Sequence, residues 1–586
     1  MNWRIKMKSF FKSFLASFLA IVVVVGLVFL IFLGIASSKL AGDKVEVKEG
    51  SYLVVDIYGD MLEYSPPVNI MTEITGGDVE TLQRILSNLR KAEVDDRIKG
   101  VIMKVSASNG AGRAKMEEIR KAIARVREAG KKVYGYSDAM NRGSYYLISA
   151  CDEIFMPVTG YIRFTGFSVT TTHIRNMLDK LDINPQIHRI KDYKSAAEML
   201  LREDMSQPAR ENKEWMLDEY WDMFTEAVQQ DRGIDEESLK GIMEMAAFPV
   251  EQAKQVGLID SVMYWNEIED MLEDSDEGLK TISQSRYAKI SPRTLGLKGK
   301  KKIAVVHAQG TIGGRKSRMD PMLGLMMGHE SVISQIKKAR ENDRVAAIVF
   351  RVDSPGGEAL ASDLIGHEIE ITTGVKPVVV SMVDVAASGG YHISYRADRI
   401  VADEMTLTGS IGSISGKMNV AGLEKKLGIT HDFASKGPNA LMYSPYRDFT
   451  DKQWEIYRQE HWNGFNHWLL DVAQHRGMTF EEAEKLAHGR VWTGRQGKRQ
   501  GLVDEVGDLN RAIEIAAELA GIDIEEGVTL VHYPVRMSFF EKIMSGGSLT
   551  ATAKYMVYRF IRDDIAETWD MLRTRDMYMI DHRQPN

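Results

Sequence analysis

The sequence predicts an α/β protein in which one module occurs twice in tandem, preceded by an N-terminal transmembrane helix. Three observations carry this reading. Strand-like apolar runs alternate with amphipathic helical ones from residue 51 onward, the same order returns later at a constant offset of 246 residues, and residues 14–36 are free of charge.

The uncharged run, "FLASFLAIVVVVGLVFLIFLGIA", is long enough to cross a bilayer as a helix. Arg4, Lys6, Lys8 and Lys12 precede it, and both signs of charge come after it. The positive-inside rule then leaves residues 1–13 in the cytoplasm and the rest of the chain outside. A cleaved signal peptide is the competing reading, with small residues at 36–38, but its apolar region would be shorter than this one.

In the first copy, "SYLVVDIYGD" (51–60) and "IKGVIMKVS" (98–106) read as buried strands with a helix around 79–92 between them. "AKMEEIRKAIARVREAG" (114–130) has helical apolar spacing and stops at Gly130, and "KKVYGYS" (131–137) is again a strand. Such β-α-β-α-β order implies a mainly parallel sheet flanked by helices. The second copy repeats it with "KKIAVVHAQGTI" (301–312), "VAAIVFRVDS" (345–354) and "KPVVVSMVD" (376–384). At the 246-residue offset Asp138 falls on Asp384, Tyr145 on Tyr391, Asp152 on Asp398, Gly166 on Gly412 and Ile183 on Ile429. The expected boundaries are 48–272 for the first domain, 273–300 for a polar linker, 301–540 for the second domain and 541–586 for a helical tail.

Composition narrows the function classes. The 586 residues are 44% hydrophobic and 27% charged, an ordinary globular balance. Lys and Arg number 75 against 82 Asp and Glu, a net charge of −7, which argues against nucleic acid as an obligate partner. The single cysteine, Cys151, excludes an intrachain disulfide and a cysteine metal cluster. No metal and no cofactor is expected.

The differences between the copies carry the chemistry. Ser388, in "DVAASGGYHIS" (384–394), falls opposite Arg142, and the loop "DSPGGE" (353–358) has only "SASNGA" (106–111) in its place. Conversely Lys194, in "KDYKSAAE", falls opposite Ala440. Each half holds something its partner lacks. A triad of Asp384, Ser388 and His392 on successive helical turns would give poor geometry for proton transfer, and Asp384 has a twin in the half without the serine. A serine served by a lysine base fits better, provided that burial lowers the lysine pKa. Backbone N–H groups at Gly356, Gly357 and Gly389 are candidates to hold an oxyanion. Met319, Met322, Met326 and Met327, in "RMDPMLGLMMGHESV" (318–332), read either as a border of an apolar substrate groove or as packing on a neighbouring subunit.

At "RVDSPGG" (351–357), "VAASGGYHIS" (385–394), "ADRIVADEMTLTGSIGSI" (397–414) and "DYKSAAEMLLREDMS" (192–206) the chain resembles the signal peptide peptidase A (protease IV) family in its long double-domain form, within the Clp protease/crotonase superfamily. The resemblance implies two crotonase-like domains and a membrane-anchored serine endopeptidase. Ser388 would be the nucleophile and Lys194 the general base, with the oxyanion held by the loop at Gly356 and by Gly389. It also implies a homotetramer on the outer face of a bacterial inner membrane, degrading cleaved signal peptides and other apolar peptides. An acyl-CoA enzyme of crotonase type and an inactive membrane scaffold are the other classes compatible with the fold.

Overall fold

The computed structural model describes residues 45–65, 80–273, 278–320, 323–524 and 527–535. The expected transmembrane helix at 14–36 and the tail at 541–586 lie outside the described residues. Among the described residues no helix is long and apolar enough to cross a membrane.

The first half is built on a six-stranded parallel sheet. Its order is Thr281–Ser283, Ser51–Asp60, Ile98–Gly110, Lys132–Tyr136, Glu153–Met156 and Ser261–Val262. The crossover helices Leu82–Val94 and Arg113–Glu128 set Leu82, Ile85 and Leu89, then Ile119, Ile123 and Val126, into the core with Leu53, Val55 and Val101. Those positions recur at helical spacing, so one face of each helix is apolar and closes on the sheet. The Thr81 side chain accepts from the Arg84 N–H and starts the first helix.

The segment read as a linker is largely docked on this half. Thr281–Ser283 pairs with Tyr52–Val54 as an edge strand, and Tyr287 is buried. Lys91 donates from inside the core to the carbonyls of Tyr287, at 2.7 Å, and Ile290, at 3.2 Å. Ile282 and Tyr287 are the apolar anchors that a polar average over the stretch conceals.

The second half carries an eight-stranded sheet. Its central run is Leu407–Gly409, Val378–Ala387, Val345–Ser354, Lys301–Gln309 and Val528–Tyr533, all parallel, with Val491–Thr493 antiparallel at one edge. Strands covered on both faces are continuous apolar runs, as "VAAIVF" and "VVVSMV" are. Met326 and Met327 belong to a small side sheet and are 2% exposed, so the methionine-rich stretch does not offer them to a groove. Met319 is exposed, and Met322 lies outside the described residues.

Two of the features that join the halves bear directly on the site. Asn184–Arg189 of the first pairs antiparallel with Ile414–Asn419 of the second, and the Ile190 N–H donates to the Ser413 carbonyl at 2.9 Å. On the strand Val345–Ser354, Arg351 is wholly buried between Glu63, at 2.9 Å, and Glu118, at 2.8 Å, both from the first half. Its third partner is the Ser381 hydroxyl at 2.8 Å. Replacing Arg351 by Met strands two buried carboxyls without a cation. The expected loss is about 3–5 kcal/mol, read as a lower midpoint in urea unfolding.

Candidate active site

Ser388 stands where the strand Val378–Ala387 turns into the short helix Gly389–His392. Its backbone has φ of 56°, a left-handed conformation that a non-glycine residue adopts at a cost. The turn is held by the Ser388 N–H donating to the Gly409 carbonyl at 2.8 Å and by the Ser388 carbonyl accepting from His392 N–H at 2.9 Å. Small neighbours are required there. A Cβ on Gly390 would lie 2.5 Å from the Ser354 carbonyl oxygen, and one on Gly389 2.6 Å from Ser362 Oγ.

Lys194 arrives from the first half. After the strand Asn184–Arg189 the chain turns, and Lys194 caps the one-turn helix Ser195–Ala197. Its Nζ lies 3.0 Å from Ser388 Oγ, 2.9 Å from the Ser410 carbonyl oxygen and 2.9 Å from Ser410 Oγ. Burial alone pulls the ammonium pKa down from 10.5 to about 7. A neutral amine has two hydrogens and one lone pair. The Ser410 carbonyl can only accept, so it takes one hydrogen; with the second on Ser410 Oγ, the lone pair faces the Ser388 hydroxyl. The second half makes room for this residue: a Cβ on Gly489 would fall 2.5 Å from Lys194 Cα, and one on Gly412 3.2 Å from its Cδ.

The glycine loop lies against the serine turn. Gly356 and Gly357 have φ of 98° and 151°. A Cβ on Gly356 would meet the Gly389 amide nitrogen at 2.6 Å, and one on Gly389 the Gly357 nitrogen at 3.0 Å. The Gly356 N–H donates to Ser354 Oγ at 3.2 Å, so its amide is already engaged. The Gly389 amide, at the first helical position, has no intrahelical acceptor. The backbone of Gly357 thus adjoins that of Gly389, next to Ser388.

The other residues singled out in the sequence go elsewhere. Asp384 is on a strand, not a helix, and its carboxylate binds Lys115 at 2.8 Å. His392 stacks on Trp468 with ring centroids 4.8 Å apart. Arg142, at the serine's place in the first half, donates to the Gly166 carbonyl and stacks over Phe167 at 3.9 Å. Ser410, Gly412 and Gly489 carry Lys194, and sequence reasoning assigned none of them a role. The run "TGSIGS" (408–413) was the available signal for the first two, while nothing marks Gly489. Ser388 and Lys194 both line a cleft of about 920 Å³ whose apolar wall includes Met216, Leu360, Val385, Leu407, Phe465 and Trp468.

A family model, peptidase family S49, matches residues 125–280 and 370–523, one stretch in each half. The chain is similar to the chloroplastic serine protease SPPA of Arabidopsis thaliana, 33% identical over 85% of this chain and 74% of the relative. It is 34% identical to Protease 4 of Haemophilus influenzae over 74% of this chain and 72% of the relative. Protease 4 of Salmonella typhi is 30% identical over 84% and 82%. Among solved structures, a ClpP1 variant from Listeria monocytogenes aligns with 36% of this chain and 94% of its own, at 16% identity and a TM-score of 0.24.

If burial holds Lys194 neutral, the unfolded chain binds one more proton than the folded one between pH 7 and 10.5, and folding gains stability as pH rises through that window. Lys194→Met removes that gain. The difference in melting temperature, variant minus wild type, is expected to shrink steadily from pH 7 to pH 10 in thermal unfolding.

Proposed function

This chain belongs to peptidase family S49 and is a serine protease, and on that premise we propose that it cuts apolar peptides with a dyad of Ser388 and Lys194. The observation that carries the reading is the 3.0 Å contact between Ser388 Oγ and a desolvated Lys194 amine.

Ser388 Oγ attacks the scissile carbonyl carbon while Lys194 Nζ takes the hydroxyl proton. The oxyanion that develops is met by the amides of Gly357 and Gly389, with Gly356 shaping the loop. Collapse passes the proton from Lys194 to the leaving amine and leaves an acyl group on Ser388. Lys194 then deprotonates a water that attacks the ester, which releases the new carboxylate and restores both side chains. No step requires a metal.

The apolar cleft wall and the uncharged segment at 14–36 support a substrate found at a membrane, namely signal peptides released from secreted proteins. The segment would anchor a single-pass protein in the bacterial inner membrane, with both halves on the periplasmic side. Self-association, which we propose reaches a homotetramer, has the internal repeat in its support. Glu118 and Arg125 of the first-half helix pair with Arg351 and Asp508 of the second half. At the 246-residue offset their places are taken by Leu364 and Ile371, which are 37% and 45% exposed. Likewise the counterparts of the paired strands Asn184–Arg189 and Ile414–Asn419, residues 430–435 and 168–173, form no strand. The first half of another copy is the complementary surface.

On a peptide carrying an apolar signal sequence, kcat/KM is expected to rise with pH through a midpoint near 7, the value at which Lys194 loses its proton. Ser388→Ala should lose turnover and labelling by a fluorophosphonate; retained turnover would exclude the dyad. The double variant Leu364→Arg with Ile371→Arg should lower the mass seen by light scattering.

A further inference from the structure

The strands bearing the glycine loop and Ser388 are not in simple register. Val352 pairs with Met382 and Ser354 with Ala386, so Asp353 alone faces Val383, Asp384 and Val385. Such a bulge bends its strand and re-aims the residues beyond it. Beyond this bulge lie Ser388 on one strand and Gly356–Gly357 on the other.

Lys115, from the first half, plugs this bulge. Its Nζ is 2.8 Å from Asp353 Oδ2 and 2.8 Å from Asp384 Oδ2, with the three side chains 8%, 12% and 4% exposed. Its backbone N–H donates to Asp384 Oδ1 at 3.2 Å, so that carboxylate also caps the helix Arg113–Glu128. The Val385 N–H donates to Asp353 Oδ1 at 3.3 Å, and the Asp353 carbonyl accepts from Gly310 N–H at 2.9 Å. The approach is close: a Cβ on Gly112 would sit 2.0 Å from Asp384 Cγ. The twin of Asp384, Asp138, is exposed, and Ala361 stands where the second half would carry its own Lys115. The clamp therefore exists once, across the halves, at the dyad.

We infer that Lys115 is a positioning residue, whose ammonium holds Asp353 and Asp384 together and so fixes the distance between the Ser388 hydroxyl and the Gly357 and Gly389 amides. This role rests on the assignment of Ser388 as a protease nucleophile. Without the cation two carboxylates face each other with little water, and the bulge is what can open.

The test uses Lys115→Met in the full chain, with peptide turnover and inhibition by a matching peptidyl aldehyde, whose hemiacetal oxyanion on Ser388 occupies the same amides. Turnover per site titrated by fluorophosphonate is expected to fall about 30- to 100-fold, as for a misplacement near 1 Å. Aldehyde affinity should fall in parallel, while KM moves less than about twofold. Lys115→Arg should recover most of the loss. Where Lys115→Met does not fold, the charge-matched Lys115→Met with Asp384→Asn carries the same expectation. Unchanged turnover per titrated site in either folded variant overturns the inference, as does a loss in which KM rises and aldehyde affinity stays. Should Ser388→Ala keep wild-type turnover, it is the dyad that has failed; a Ser388-dependent enzyme indifferent to Lys115 refutes this inference alone.

Discussion

An amine kept dry is the constraint on which the site depends. In the proposed mechanism Lys194 faces Ser388 as a base only while its ammonium form is disfavoured, and burial is what brings its pKa down to about 7. That burial is built from both halves. The strand pairing at Asn184–Arg189 and Ile414–Asn419 brings the lysine across, Gly412 and Gly489 admit it, and Ser410 satisfies its hydrogens. A cation drawn from water into such a place costs stability at neutral pH, and the wide apolar cores of both sheets are what offset it.

Duplication explains why the halves are unequal without being independent. The first copy has filled its own serine position with Arg142, and it contributes Lys194 and Lys115 to its partner's site instead. The contact between copies within one chain includes several ion pairs beside the strand pairing and apolar packing: Arg351 with Glu63 and Glu118, Lys121 with Asp403, Arg125 with Asp508. Buried ion pairs of this kind contribute little net stability but tolerate few alternative alignments, because a shifted register leaves charges unpaired. They match in charge only in this alignment of the halves, the one in which Lys194 reaches Ser388.

Much of this was legible in the sequence because its signals are local or periodic. The strands Ser51–Asp60, Val345–Ser354 and Val378–Ala387 coincide with apolar runs read directly, and the helix Arg113–Glu128 with its apolar spacing. Ser388 and Lys194 stood out through what each copy lacks, although no local pattern places them 3.0 Å apart. Ser410 was missed because its hydroxyl and carbonyl matter only once Lys194 arrives from 216 residues away. Lys115 is one charge among many on an amphipathic helix, and its partners lie 238 and 269 residues further on. The docked part of the linker escaped notice because Ile282 and Tyr287 are two apolar residues in a polar stretch.

The separation of 194 positions between Lys194 and Ser388 also bears on when the proposed dyad could become active. During synthesis the lysine leaves the ribosome first, in a half that has Arg142 at the place of Ser388 and lacks Ser410, Gly412 and Gly489, the residues that enclose its amine. Only after the later sheet has emerged and docked is the amine stripped of water. Under the proposed mechanism, competence to cut is thereby withheld from every unfinished chain.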